Sequence, residues 1–164
     1  MKKTYLTKKG SIWGLIIAIV IPLAVGALSA FLTSDTMVKF QQLNKPEFAP
    51  SGSIFPIVWT LLYILMGIAS YRIYLKGTEN REVKSALFFY VIQLIFNFLW
   101  SIIFFGLGMR GLAFIWLIIL WILIAITTVK FYKLDKIAGY LMIPYILWVS
   151  FAGVLNYSVW MLNR

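Results

Sequence analysis

Five long uncharged runs divide this chain. Residues 10–34, 48–71, 85–109, 111–129 and 137–163 hold 25, 24, 25, 19 and 27 residues between successive charges. A helix needs about 20 residues to cross the hydrocarbon core of a bilayer, so each run is long enough. The runs are continuously apolar rather than alternating, which predicts helices and argues against a β-barrel. The predicted fold class is an all-α integral membrane protein, a five-transmembrane-helix bundle. The predicted spans are 11–33, 54–75, 84–106, 111–130 and 137–160, in one domain over 1–164. The Lys-rich start and Ala27-Leu28-Ser29 imitate a cleavable signal peptide. The apolar run from Ile12 to Leu28 exceeds the usual 7–15 residues of such a segment, so a retained first span is expected.

Polar residues within the runs fall on helix faces. In the third, Gln93, Asn97 and Ser101 recur every four residues, with Trp100 on the same side. An amide in lipid must find a partner, so this stripe faces the bundle interior, either as interhelical glue or as part of a ligand site. The fifth run carries Pro144, Trp148, Ala152 and Asn156 at the same spacing, with Tyr145 beside them. Ala152 leaves a notch between an indole and an amide, and Pro144 is expected to bend the helix. The second run offers Trp59, Tyr63, Met66, Gly67 and Ser70. The first offers Pro22, Gly26, Ser29 and Ala30, a small-residue face suited to close helix approach. The fourth is apolar all round until Thr127 and Thr128 and reads as a lipid-facing or self-associating wall, with Trp116 and Trp121 packing or anchoring.

Charge sets the orientation. The chain is 62% hydrophobic and 12% charged with a net charge of +10. Its cations lie in short clusters between apolar runs, which suits a membrane surface and not nucleic acid. Eleven Lys and Arg fall on the side of the N-terminus: Lys2, Lys3, Lys8, Lys9, Arg72, Lys76, Arg81, Lys84, Lys130, Lys133 and Lys136. Four fall on the other: Lys39, Lys45, Arg110 and Arg164. The positive-inside rule then puts the N-terminus in the cytoplasm and the C-terminus outside.

The candidate chemistry is narrow. There is no Cys and no His, hence no metal site of the usual kind, no redox pair and no usual general base. No Asp or Glu lies within a span, which argues against ion-coupled transport. No phosphate-cradling glycine loop is present. What remains is an apolar cavity lined by indoles, phenols and amides, suited to a large, flat ligand with few polar atoms. The longest connection, 33–53, carries Pro46 and Pro50 and leads through Ser51-Gly52-Ser53 into Pro56. The prolines stiffen it, Ser53 is the expected N-cap, and Pro56 fits a first helical turn.

Three blocks, "KPEFAPSGSIFPIVWTLLYILMGIA" (45–69), "QLIFNFLWSIIFF" (93–105) and "PYILWVSFAGVLNYSVW" (144–160), resemble in order the bacterial members of the translocator protein (TspO) family, also called the peripheral-type benzodiazepine receptor family. The resemblance implies a homodimeric membrane receptor or sensor. Its pocket opens near the first interhelical loop and binds porphyrins and benzodiazepine- or isoquinoline-type drugs. The family pocket falls on Trp59, Asn97, Trp148 and Ala152, with Phe55, Tyr63, Trp100, Phe104 and Leu155 as further lining; Tyr145 joins them from the stripe above. Pro46 and Pro50 would stiffen a lid. The alternatives implied are a light-dependent porphyrin-degrading catalyst, with Trp59 and Trp148 as redox-active indoles, and a transporter of tetrapyrroles or lipids. No cofactor is required. Without His or Cys as axial ligand, metal-free protoporphyrin IX is the expected porphyrin. The family's cholesterol pattern fails here, because six residues separate Tyr157 from Arg164 where one to five are allowed. The reversed pattern at 130–134 is weak. Membrane lipid is the surrounding partner, in a bacterial cell membrane.

Overall fold

The computed structural model describes residues 10–36 and 40–164. Lys2, Lys3, Lys8, Lys9 and Lys39 of the charge count lie outside the described residues. Five helices follow in order: α1 (Ile12–Leu32), α2 (Ile54–Tyr74), α3 (Arg81–Ser101), α4 (Arg110–Leu134) and α5 (Lys136–Leu162). Each is long and apolar enough to cross a membrane, and no strand occurs among the described residues. Several helices run past the charge gaps that reveal them. Arg81, Glu82 and Lys84 open α3, and Lys130 and Lys133 close α4. Charges end a span, but they do not end a helix, because long cationic side chains reach the interface from helical positions.

α4 is not simply a wall. It buries Ala113, Leu117, Leu120, Ile124, Thr127, Phe131 and Leu134, a seam stepping alternately by four and three residues. This seam packs on α3 and α5, while Ile115, Ile118 and Ile122 stay exposed. The α5 seam is Ala138, Met142, Tyr145, Val149, Ala152 and Val159. Pro144 is exposed and off this seam, whereas Tyr145 is fully buried. The reason is rotation: a strict four-residue step gains about 40° per step, so a stripe begun at Asn156 has turned about 120° by Pro144. α5 nonetheless continues through Pro144 without a break in helix.

Two glycines set the approach of α1 to α2. A Cβ on Gly67 would lie 2.5 Å from the Ile19 Cα and 2.7 Å from the Ala18 carbonyl oxygen. One on Gly26 would lie 2.2 Å from the Tyr63 ring. α1 is otherwise peripheral and fully buries only Pro22 and Ser29; Ala30 is exposed.

At the end of the bundle opposite the first loop, a single residue joins α4 to α5. Asp135 caps α5 by accepting from the Ala138 amide at 3.0 Å. It also accepts from Arg72 Nε and Nη2 at 3.1 and 2.9 Å and pairs with Lys76 at 3.2 Å. Burial pushes its carboxyl up, but the hydrogen bonds from Arg72, Ala138 and Lys76 outweigh this and hold its pKa at about 2.

Candidate functional site

The side chains singled out in the sequence gather at the loop end of the bundle in two adjacent groups. The first joins α2, α3 and α5. Trp59 stacks on Tyr63 with ring centroids 5.5 Å apart and meets Tyr145 edge-on at 6.2 Å. Phe55 meets Trp148 edge-on at 5.8 Å, and Trp148 leans on Phe151 at 5.4 Å. Beneath these rings runs a polar chain. Tyr63 donates to Asn97 Oδ1 at 2.8 Å, Asn97 Nδ2 donates to the Tyr145 oxygen at 3.1 Å, and Tyr145 donates to Gln93 Oε1 at 2.8 Å. Gln93 Nε2 ends the chain on the Met66 sulfur at 3.9 Å.

Gln93 and Asn97 are buried, as an amide stripe facing the interior requires. Both amides bind tyrosines of neighbouring helices, which is the glue reading of that stripe. The Trp148 indole differs. Its Nε1 is buried and has no hydrogen-bond partner. Ala152, one turn further along α5, is buried and contributes only a methyl group.

The second group joins α3, α5 and the first loop. Trp100 stacks on Phe104 at 5.3 Å, and its indole donates to Asn156 Oδ1 at 3.3 Å. Phe40 of the loop meets Phe104 and Phe105 edge-on at 5.7 and 5.0 Å. Phe104 and Phe105 lie on a π-helical turn (Ile102–Gly106) that extends α3, closed by the Leu107 amide on the Ile102 carbonyl at 2.9 Å. Leu155 is buried on the adjoining part of α5.

The loop is fastened to the bundle. The Asn44 amide donates to Asn163 Oδ1 at 3.0 Å, and Asn163 Nδ2 donates back to the Asn44 carbonyl at 2.9 Å. Phe48 meets Phe151 edge-on at 6.3 Å. Pro46 and Pro50 lie half-buried between these ties and α2. Ser53 occupies the N-cap position of α2, but its backbone is helical and its side chain makes no cap bond. Its hydroxyl lies 3.1 Å from that of Ser51 instead.

Two grooves lie elsewhere. One of 870 Å³ runs between α1, α2 and α3 past Ala18, Ser70, Tyr90 and Phe98. One of 470 Å³ runs between α4 and α5 past Trp121, Gly153 and Tyr157. Neither contains Trp59, Asn97 or Trp148. Trp116 and Trp121 are engaged in packing: the first stacks on Phe96 at 4.4 Å and donates to its carbonyl, the second donates to Ser150.

The three blocks of sequence that carry the family resemblance therefore meet in space, on α2, α3 and α5. The TspO/MBR family model matches residues 18–161, from within α1 to the last turn of α5. The chain belongs to this family. Among TspO/MBR relatives, it is 37% identical over 142 residues to the tryptophan-rich protein TspO of Chlorobaculum tepidum, covering 86% of this chain and 90% of that one. It is 39% identical over 124 residues to protein CrtK of Rhodobacter capsulatus, covering 76% and 78%. It is 33% identical over 137 residues to the human translocator protein, covering 83% and 81%. The TspO/MBR chain is thus an integral membrane protein with five apolar helices. Sequence reasoning passed over three features of it: the Asn44–Asn163 tie, the Arg72–Asp135–Lys76 cluster and the tyrosine partners of the amides. The i, i+4 amides of α3 signalled that partners were needed, but nothing local signalled which helix supplies them.

Proposed function

We propose that this protein is a membrane receptor or sensor for porphyrins, with protoporphyrin IX as the reference ligand, and for benzodiazepine- or isoquinoline-type drugs of similar flat shape. The site is the space bounded by Trp59, Trp148 and Ala152 beneath the first loop. One observation carries this reading: the Trp148 Nε1 is buried without an acceptor amid a ring cluster drawn from α2, α5 and, through Phe48, the first loop. A buried donor without a partner costs about 1–3 kcal/mol, and a ligand ring nitrogen or carbonyl would recover it while the ring stacks on the indoles. Titration of the purified protein with protoporphyrin IX, followed by tryptophan quenching, tests it. Trp148→Phe keeps an aromatic ring and removes the donor; Ala152→Thr fills the notch. Each is expected to raise Kd by about three- to tenfold, in line with one hydrogen bond or a few lost contacts. Unchanged affinity in both variants would sink the assignment.

A second reading is light-dependent porphyrin breakdown. It is favoured by the Trp59–Tyr63 stack, an indole against a phenol whose hydroxyl is hydrogen-bonded to Asn97. Illumination of the protein with protoporphyrin IX would yield a new absorbing product, formed more slowly by Trp59→Phe with Trp148→Phe. Tetrapyrrole flux into sealed liposomes distinguishes transport from either. The charge asymmetry supports a cytoplasmic N-terminus in a bacterial cell membrane, testable by labelling cysteines placed at either end.

A further inference from the structure

The loop end of the bundle carries a charge that no carboxylate among the described residues answers with an ion pair. Arg110 opens α4, and its Nε is buried without a hydrogen-bond partner. The chain has five acidic residues. Glu79, Glu82 and Asp135 belong to the opposite end of the bundle. Asp35 and Glu47 belong to the loop end, and neither forms an ion pair with Arg110; the ion pairs among the described residues join Arg72 and Lys76 to Asp135.

Arg110 is also fixed in place beside the candidate cavity. Its carbonyl accepts from Asn156 Nδ2 at 3.0 Å, and Asn156 Oδ1 in turn accepts from the Trp100 indole. Asn156 lies four residues beyond Ala152 on α5, about 6 Å further toward the loop end. Above the Trp148–Ala152 notch, the backbone that carries Arg110 is therefore tied through Asn156 to Trp100. A guanidinium presents Nε and one Nη as a planar fork that matches a carboxylate. A buried member of that fork without a partner is costly unless an oxyanion takes it.

We propose that Arg110 is the anion-reading residue of this cavity, binding a carboxylate on the edge of a ligand whose flat apolar body lies among Trp59, Trp148 and Ala152. This rests on the reading of the cavity given above and adds the residue that reads the acid edge of the ligand, the propionates in the case of a porphyrin. The acid edge points to the loop end and the apolar edge into the bundle. The same oxyanion chemistry has a second source in the phosphate of a bilayer lipid, which an arginine at the interface can reach.

The test uses the full-length protein in phosphatidylcholine nanodiscs, with tryptophan quenching by protoporphyrin IX and by its dimethyl ester. Wild type is expected to bind the diacid about tenfold more tightly than the diester, the scale of one charge-assisted pair. Arg110→Gln is expected to raise the diacid Kd about tenfold and leave the diester Kd unchanged. Arg110→Lys, which keeps the charge without the fork, is expected to fall between them. The proposal is overturned if the diacid preference survives in Arg110→Gln, or if both ligands weaken equally, the mark of a packing role. Binding of neither ligand to wild type overturns the cavity reading itself, and this one with it. Binding of the diester without preference for the diacid overturns only the role of Arg110. A last arm adds phosphatidylglycerol and follows retained lipid by native mass spectrometry. Loss of retained phosphatidylglycerol in Arg110→Gln with an unaltered diacid Kd assigns the residue to lipid phosphate and overturns the proposal.

Discussion

Asn97 is the residue at which three helices are joined by polar atoms. Its carbonyl takes the Tyr63 hydroxyl of α2 and its amide nitrogen reaches the Tyr145 hydroxyl of α5. Interhelical hydrogen bonds in membranes average only about 0.6 kcal/mol, because the dissociated helices find other partners. The groups here are fully enclosed, however, and a fully enclosed group left unsatisfied costs about 1–3 kcal/mol. The second effect wins when the middle of the chain is removed, since two tyrosines lose a partner at once. Asn97→Leu is therefore expected to destabilise the protein by about 2–4 kcal/mol, and Tyr63→Phe, which removes only a terminal donor, by about 1 kcal/mol. Thermal unfolding in detergent gives the order. Equal losses in the two variants would mean that Asn97 is not the hub. The need for such a hub was legible in the sequence, because Gln93 and Asn97 are amides on one turn-spaced face. Its partners were not. Tyr63 and Tyr145 read equally well as ring lining, and only the crossing of helices shows that their hydroxyls point at the amides.

At the scale of elements, the spans announce themselves by hydropathy, and the faces between them do not. The α4 seam at Leu117, Leu120, Ile124 and Phe131 is hidden because the outward residues are apolar too, so lipid-facing and protein-facing positions share one composition. The join of α2 to the α4–α5 turn was hidden for another reason: Arg72 and Asp135 lie 63 residues apart. Asp135 does two tasks there, as an N-cap and as the anion for two cations. Asp135→Asn keeps a capping oxygen and loses the ion pairs, whereas Asp135→Ala loses both. The expected losses are about 1–2 kcal/mol for Asn and about 1 kcal/mol more for Ala. The pH dependence follows from the depressed pKa. The folded value of about 2 lies below the usual 3.8, so the stabilisation is complete at neutral pH and disappears as pH falls from about 4 to about 2. Wild type should lose melting temperature over that window and Asp135→Asn should lose less. Parallel acid profiles would show that the cluster carries no such linkage.

For the whole molecule, the first loop ties three helices, α2, α3 and α5, together at one face of the bundle. Phe40 rests on the π-helical turn after α3, Asn44 is bound to Asn163 at the end of α5, Phe48 rests on Phe151, and the chain then enters α2. The prolines made a stiff loop legible, but stiffness alone does not say where a loop is held. That depends on Asn163, a C-terminal residue whose role is invisible until the helices are assembled. The two Asn44–Asn163 bonds are exposed, and each is worth about 0.5–1.5 kcal/mol. Removing them should release the loop without unfolding the bundle, whose core they do not touch. Asn163→Ala is expected to speed dissociation of protoporphyrin IX by about tenfold, the rate equivalent of about 1.4 kcal/mol, with a small change in melting temperature. Pro46→Gly with Pro50→Gly should speed it through the loop's own flexibility, by raising the entropy of the open form. If the tie and the prolines serve one closed loop, the triple variant should gain less than the product of the two effects, because a freed loop has little left to lose. Stopped-flow displacement measures the rates, and hydrogen exchange over residues 40–50 reports whether the loop has opened. An unchanged dissociation rate in Asn163→Ala, with exchange raised across that segment, would show that the loop moves without gating the cavity.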